Sequence, residues 1–208
     1  MSNPNYIHSC IRLKNGKALL NNQAIFETNA VSISDFLKEL YLHLQIDYPK
    51  FYKMDELCKL AFVGTEIVMK NSHEIFLQKE DTAVVLANLS SSLETDKKFE
   101  ESIQDEQHYF PSPAVFVYTL PNITIGEIMI RNNFKGENTF FVSEKYDVDF
   151  MSYYVNSLLQ NNSAKRVLSG WVESGVNSYD AFIYIATSSK AGISLEHTKE
   201  NINILYNS

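Results

Sequence analysis

The segment that most constrains the fold is a short, almost uninterrupted apolar run in the first half of the chain. Residues 81–88 read Asp-Thr-Ala-Val-Val-Leu-Ala-Asn, so β-branched and aliphatic side chains stand between polar ends. A strand with one solvated face alternates apolar and polar residues, whereas a continuous apolar run of this length is typical of a strand buried on both faces. We therefore predict a central parallel strand here, in an α/β fold with helices on both faces of a sheet.

The remaining periodic segments fit the same architecture. Apolar residues at helical spacing predict helices over Asp35–Leu44 with Ser34 as N-cap, Met54–Met69, Asn122–Asn133 and Val148–Leu159. Short apolar or alternating runs predict strands over Tyr6–Leu13, Ala18–Phe26, Asn138–Val142, Val167–Val172 and Ala181–Ala186. The last two runs are too close for a crossover helix, so we expect them to pair antiparallel. The charged stretch Glu94–Glu106 is expected to be a solvated helix or loop.

Charge and cysteine content limit the partners and the compartment. The 208 residues include 18 Lys and Arg against 25 Asp and Glu, a net charge of -7. An acidic chain is a poor match for nucleic acid or an anionic membrane, both of which need a basic surface. The first residues lack the basic start and apolar run of a signal peptide, and no apolar stretch is long enough to span a membrane. Two cysteines make no disulfide framework, so we expect a reducing, cytoplasmic setting.

Several kinds of catalytic site are excluded by spacing. The seven glycines are Gly16, Gly64, Gly126, Gly136, Gly170, Gly175 and Gly192, and none stands two residues from another. A dinucleotide-binding Gly-x-Gly-x-x-Gly fingerprint is therefore impossible, and Gly16-Lys17 lacks the other residues of a phosphate-binding loop. The five histidines are too far apart to share a helix face, and no Gly-x-Ser-x-Gly elbow occurs. We expect no cofactor and no metal.

One stretch is similar to a known family. Residues 110–136, Phe-Pro-Ser-Pro through Asn-Asn-Phe-Lys-Gly, resemble the region before the active site of the β-ketoacyl (3-oxoacyl-ACP) synthases. The family has an Asn four residues before a helix Gly, here Asn122 and Gly126, and a second Gly ten residues on, here Gly136. The resemblance is clearest over residues 54–186. It implies a thiolase-like N-terminal half with a mixed five-stranded sheet, and a single domain of this kind over residues 1–208.

The resemblance also locates a departure from the family. In active ketosynthases the nucleophilic Cys follows the second Gly by nine residues, and the corresponding residue here is Lys145. Ser169-Gly170-Trp171 stands at the distance of the family's later Gly-Gly segment, so the register holds without a gap. A ketosynthase needs a thiolate to carry the acyl chain as a thioester, and its histidines come from a C-terminal half. The resemblance therefore implies an acyltransferase fold without its nucleophile, inactive alone.

We accordingly expect a catalytically silent, chain-length-factor-like component of fatty-acid-type or polyene (polyketide) biosynthesis, aryl polyenes included. In the family, the strand corresponding to Asn138–Val142 pairs across a dimer, and Phe140 and Phe141 would suit that interface. The partner would be a second copy or a full-length ketosynthase. Equally, Phe140 and Phe141 could alternate between the two faces of the sheet within a monomer.

Two alternatives keep a different activity. Lys145, with Glu144 beside it, could form a Schiff base or act as an acid. Instead, apolar residues near Phe116, Leu120 and Phe134 could form a pocket for an acyl chain or an acyl-carrier protein. Carrier proteins are acidic like this chain, so that alternative needs a local basic patch, for which the candidates are Arg131, Lys135 and Lys145.

Overall fold

The computed structural model describes residues 4–76, 80–104, 109–175 and 178–208. Its strands are β1 (Tyr6–Lys14), β2 (Lys17–Leu20), β3 (Gln23–Glu27), β4 (Thr82–Asn88), β5 (Asn138–Val142), β6 (Arg166–Ser174), β7 (Tyr179–Thr187) and β8 (Leu195–Glu196). Its α-helices are α1 (Ile33–His43), α2 (Glu56–Asn71), α3 (Leu93–Glu101), α4 (Pro113–Val117), α5 (Ile123–Asn132), α6 (Val148–Gln160) and α7 (Lys199–Asn207). Two short 3₁₀ helices span Pro49–Lys53 and His73–Phe76.

The strands form one mixed sheet in the order β3-β2-β1-β7-β6-β4-β5, with β8 beside β1. Strand β4 is parallel to both of its neighbours, β5 and β6, and all seven of its residues are buried. The prediction of a parallel strand buried on both faces is therefore confirmed. Strand β7 is antiparallel to β6, as predicted, and also to β1. Hence β1, β4, β5 and β6 run in one direction and β7 runs in the other.

The sheet has more strands than the five that the resemblance implies, because the hairpin of β2 and β3 and the short strand β8 extend it beside β1. The segment Ala18–Phe26, predicted as one strand, is divided into β2 and β3. Asn21 and Asn22 stand between them with φ of 49° and 65°, and the Asn21 side chain accepts a hydrogen bond from the Cys10 amide at 2.9 Å. Asn tolerates this left-handed conformation, so two such residues in succession turn the chain.

Several helix boundaries also differ from the prediction by one or two residues, as for α2, which was predicted over Met54–Met69 and spans Glu56–Asn71. Helix α1 is capped by Ser32 and not by Ser34, because the Ser32 hydroxyl accepts from the amide of Asp35 at 3.1 Å. Asn122 precedes α5 as predicted, but its side chain makes no capping bond. Of the charged stretch Glu94–Glu106, the first part lies in α3, and its last two residues lie outside the described ranges.

The sheet separates two cores. Helices α1, α2 and α5 cover the first face, where Val84 and Leu86 of β4 join an aliphatic and aromatic core. Helices α6 and α7 cover the second face, where Ala83, Val85 and Ala87 point. None of the helices in the described ranges has the length and apolar character needed to cross a bilayer.

Candidate functional site

Strands β4, β5 and β6 are parallel, so their carboxyl ends lie together at one end of the sheet, where α/β folds usually carry their sites. The chain leaves β5 through residues 143–147 and enters α6. The amide of Ser143 donates to the carbonyl of Asn88 at 2.9 Å. From β6, Glu173 accepts hydrogen bonds from the amides of Leu89 and Ser90 at 2.7 and 3.2 Å. Position 145 therefore lies at this end of the sheet, just before α6.

The side chain of Lys145 is exposed to solvent there, and so is that of Glu144. The loop is fixed through its backbone, since the Ser143 hydroxyl donates to the Lys145 carbonyl at 2.8 Å. Asp147 caps α6 by accepting from the amide of Phe150 at 3.0 Å. A lysine that forms Schiff bases is normally desolvated or lies beside another cation, so that its amine is neutral. The geometry therefore gives no support to a nucleophilic Lys145.

Neither of the two cysteines is placed as an exposed candidate nucleophile. Cys10 lies in β1 and Cys58 in α2, and both thiols are free and buried. Burial raises the pKa of the Cys10 thiol to about 11 and raises that of Cys58 well above its ordinary value. The Sγ atom of Cys58 lies 3.3 Å from the Thr124 hydroxyl, in the first core. Since the thiolate is the reactive form, both are structural residues.

The described histidines have roles elsewhere in the fold. His8 is buried in β1 with Nε2 2.9 Å from a Glu74 carboxylate oxygen, and His197 is buried on the second face. His43 and His73 are exposed, and His108 lies outside the described residues. Within the ranges that the structure covers, no group of three or more His, Cys, Asp or Glu side chains is placed to hold a metal.

Two of the glycines on which the resemblance rests stand where any side chain would collide with neighbouring backbone. A Cβ atom at Gly136 would stand 2.5 Å from the carbonyl oxygen of Thr82, and one at Gly170 would overlap the carbonyl oxygen of Phe182. Both positions thus require glycine for close approach to neighbouring backbone. Gly126 has open space around it, and nothing in the structure explains why it is glycine.

The three residues proposed for an acyl pocket lie in different settings. Phe116 and Leu120 are about half exposed near α4, and the Phe116 ring contacts that of Phe99 at 5.2 Å. Phe134 is buried in the first core. The structure thus places Phe134 where it stabilises the fold.

The basic patch proposed for carrier binding is largely engaged in ion pairs. Arg131 pairs with Glu66 at 3.1 Å and stacks over the Tyr48 ring, while Lys135 pairs with Glu80 at 2.8 Å. These acids lie 65 and 55 residues away in the chain, so no local pattern could predict the pairing.

Strand β5 forms one edge of the sheet, and its outer side has no strand in the described part of the chain. Phe140 packs toward the first core and Phe141 toward the second, so the two rings alternate across the sheet. The Phe141 ring contacts Phe150 and Tyr154 of α6 with centroids at 4.9 and 5.3 Å. This cluster was not predicted from the sequence, although the i, i+4 spacing of Phe150 and Tyr154 indicates that the two rings can meet on one face of a helix.

The backbone N–H and C=O groups of successive residues in β5 point alternately toward β4 and away from it. Glu137 accepts from the amide of Val84, and the amide of Ser143 donates to Asn88, so the odd-numbered residues point their backbone groups toward β4. In a parallel ladder the alternate residues point the other way. The N–H and C=O groups of Asn138, Phe140 and Val142 therefore face outward from the sheet.

No family model and no curated protein matches this sequence. Solved structures do match it in fold. A structure described as "The ishigamide ketosynthase/chain length factor" has a TM-score of 0.69 at 14% identity over 91% of this chain and 63% of that chain. A type II polyketide synthase acyl-carrier protein in complex with its ketosynthase (AntDE:AntF) gives a TM-score of 0.61 at 13% identity over 90% and 63%.

A third match is the ketosynthase ApeO in complex with its chain length factor ApeC from Xenorhabdus doucetiae, with a TM-score of 0.59 at 12% identity. It covers 98% of this chain and 90% of that one, whereas this chain spans 63% of the length of the first two matches. The mixed sheet packed with helices agrees with these matches in fold. The chain therefore has the thiolase-like fold of the β-ketoacyl synthases.

Proposed function

We propose that this chain is a catalytically silent, chain-length-factor-like partner of a ketosynthase in polyketide or polyene biosynthesis. The observation that carries the proposal is the solvated Lys145 at the entrance to α6, where the family's nucleophilic thiol would stand. An exposed ammonium is neither a thioester carrier nor a desolvated amine. The chain would then contribute a binding surface to the complex and no catalytic group.

The buried thiols and the fold matches support the same function. Because burial raises the pKa of both Cys10 and Cys58, neither supplies a thiolate near neutral pH. Two of the fold matches are described as a ketosynthase with a chain length factor, and in one of them the matched chain is of similar length to this one. We place the protein in a reducing, cytoplasmic setting because both of its thiols are unpaired.

We further propose that the partner binds at the outer edge of β5. The outward N–H and C=O groups of Asn138, Phe140 and Val142 can pair with one strand of another chain, which would continue the sheet across the interface. Main-chain hydrogen bonds of this kind need an unpaired edge, which β5 offers. A ketosynthase is the expected occupant, and a second copy of this chain is the other outcome to be tested.

The experiment for the proposed function is co-expression with a full-length ketosynthase from the same organism. Size-exclusion chromatography with light scattering should show a complex of one chain each, and the pair should make products of a different length from those of the ketosynthase alone. The isolated chain should show no condensation. A protein that stays apart from the ketosynthase, or that condenses acyl units by itself, would contradict the proposal.

A matched pair of variants tests whether the partner pairs through the backbone of the outer edge of β5. Val142 is 56% exposed, so Val142→Ala removes its side chain and keeps its outward N–H, whereas Val142→Pro removes that N–H as well. We expect Val142→Pro to abolish the complex and Val142→Ala to weaken it only slightly, with both variants folded by circular dichroism. Equal binding by the two would place the partner elsewhere.

A further inference from the structure

An aromatic cluster of two half-buried rings and one exposed ring lies beside β5 on the second face. It consists of Phe141 on the strand and Phe150 and Tyr154 on α6, and we name it the aromatic ledge. The Phe150 ring meets that of Phe141 nearly edge-on at 4.9 Å and that of Tyr154 in a near-parallel arrangement at 6.0 Å. The Tyr154 hydroxyl lies 3.3 Å from that of Thr139. Phe150 is thus supported by contacts from both the strand and the helix.

Despite this support, Phe150 remains 42% exposed. A large ring that is already held in place loses little conformational entropy when it is covered, and such residues dominate the energetics of interfaces. Its ring partner Phe141 is the strand neighbour of Phe140 and Val142, whose backbone groups face outward. The ledge is therefore continuous with the edge at which we place the partner.

Acidic side chains lie next to the ledge in the chain. Glu137 precedes β5, Glu144 and Asp147 follow it, and all three are exposed, with Lys145 between the last two. Asp149 is also exposed and pairs with Lys199 at 3.2 Å. A partner that covers this region would be complementary if it brought basic groups to the rim.

We propose that the aromatic ledge is the anchor of the ketosynthase interface, with Phe150 inserting into an apolar hollow beside the partner's edge strand and the acidic rim facing basic side chains. This inference rests on the proposed function and adds to it the residue that supplies most of the affinity. It predicts that pairing of the strands alone does not hold the complex together.

Helix α6 offers a matched control. Tyr153 is a similar aromatic residue on the same helix and is 74% exposed, but within the described residues it makes no ring contact with β5. It follows Phe150 by three residues and so lies about 60° from it around the helix, which makes it a control for any exposed ring close to Phe150. Binding to the ketosynthase should weaken about 30-fold or more for Phe150→Ala and less than about threefold for Tyr153→Ala, measured by calorimetry. Phe150→Leu, which keeps an apolar side chain against Phe141, should lie between them. Thermal melts of the three variants identify any loss of folding.

The outcomes separate this inference from the proposed function. If the unaltered chain does not bind the ketosynthase, the proposed function fails. If the unaltered chain binds, Val142→Pro abolishes the complex and Phe150→Ala behaves like Tyr153→Ala, the proposed function stands and the anchor is wrong. If Phe150→Ala unfolds, Phe150→Leu decides, and binding equal to that of the unaltered chain overturns the inference.

The acidic rim has its own test. Glu144→Lys should slow association with the ketosynthase several-fold at low salt, and the difference should shrink as salt is raised. Glu200→Lys on α7 changes the net charge equally at an exposed site outside the rim and should leave the association rate almost unchanged. Equal rates for the two variants would remove the rim from the proposal.

Discussion

The two faces of the sheet are built differently. The first face buries mainly aliphatic and aromatic side chains beneath α1, α2 and α5. Both faces also bury polar groups, among them Glu127 of α5 on the first face. On the second face, beneath α6 and α7, several polar groups form one connected network. Nδ1 of His197 donates to the side-chain oxygen of Asn156 at 3.0 Å, Nε2 accepts from the Tyr184 hydroxyl at 3.1 Å, and the Asn156 oxygen also accepts from Asn5 at 2.8 Å. This connected network of hydrogen bonds distinguishes the second face from the first.

This difference has a functional meaning under the proposal. The second face carries α6, and α6 carries both Lys145 at its entrance and the aromatic ledge. A network of hydrogen bonds fixes the direction of its members more strictly than apolar packing does. The face that would meet the partner is thus the one with the connected polar network, and we expect the first face, which has the larger apolar core, to supply more of the stability.

The largest expected loss of stability follows from a cavity in the core of the first face. Phe62 is 1% exposed, and its ring lies 5.3 Å from that of Tyr48 and 6.0 Å from that of Phe51. Phe62→Ala should lower the free energy of unfolding by about 3–5 kcal/mol, because it removes apolar contacts and leaves a cavity. Urea unfolding measures the change. Ile130→Ala, at a position that is 70% exposed, should change stability by less than about 0.5 kcal/mol.

The second prediction concerns pH and the second face. Burial lowers the pKa of the His197 imidazole to about 4 from an ordinary 6.5. The unfolded chain therefore takes up a proton below pH 6.5 that the folded chain refuses until about pH 4. Stability from this group is complete above pH 6.5 and falls as the pH drops through that window, by about 3 kcal/mol in total.

The matched variant is His197→Gln. Its free energy of unfolding should decline less between pH 6.5 and pH 4 than that of the unaltered chain, since the carboxylates that also titrate there are common to both. Parallel pH profiles for the two proteins would show that His197 is not the source of the dependence.

A smaller change tests one bond of the network. Tyr184→Phe removes the hydroxyl that pairs with Nε2 of the buried His197 while keeping the ring. We expect a loss of about 1–3 kcal/mol by chemical denaturation, because the imidazole nitrogen is left buried without its partner. Tyr153→Phe removes an exposed hydroxyl and should be neutral. A neutral Tyr184→Phe would mean that the second face is held by packing, like the first.

The finest comparison uses the two thiols, since Cys58 belongs to the first core and Cys10 to the second. Both are buried and both should resist alkylation in the native state for hours. If the second face opens more readily, Cys10 should label before Cys58, as read by mass spectrometry of peptides. Labelling of Cys58 first would reverse the order of stability proposed for the two faces.

Much of the fold could be predicted from local pattern. Residues 138–142 form the predicted strand without any shift, and the apolar run at 81–88 forms the buried parallel strand β4. These predictions succeeded because the side-chain period of a strand and its burial are properties of a few consecutive residues. The division of Ala18–Phe26 was missed because it depends on the backbone of Asn21 and Asn22 and on a bond to β1.

The place of Lys145 at a helix entrance was predictable but its surroundings were not, and its correspondence to the family's nucleophile stays a prediction. The spacing from Gly136 located Lys145 at the start of α6, where the structure places it. The burial of Phe134, the pairing of Arg131 and Lys135 with distant glutamates, and the ring contacts of Phe150 all depend on which elements are neighbours in space. No local pattern records those neighbours.

The sequence by itself therefore determined the α/β class and the absence of a cysteine at position 145, because both follow from residue identity and from the period of a strand or helix. It left open whether Phe140 and Phe141 meet a partner or alternate across the sheet, and the structure places them on opposite faces. Only the tertiary structure decided that β5 is an edge, that its even-numbered residues present free backbone groups, and that the two cysteines are buried. Edges, burial and pairing arise from contacts between segments far apart in the chain, and their free energies depend on the packed arrangement as a whole.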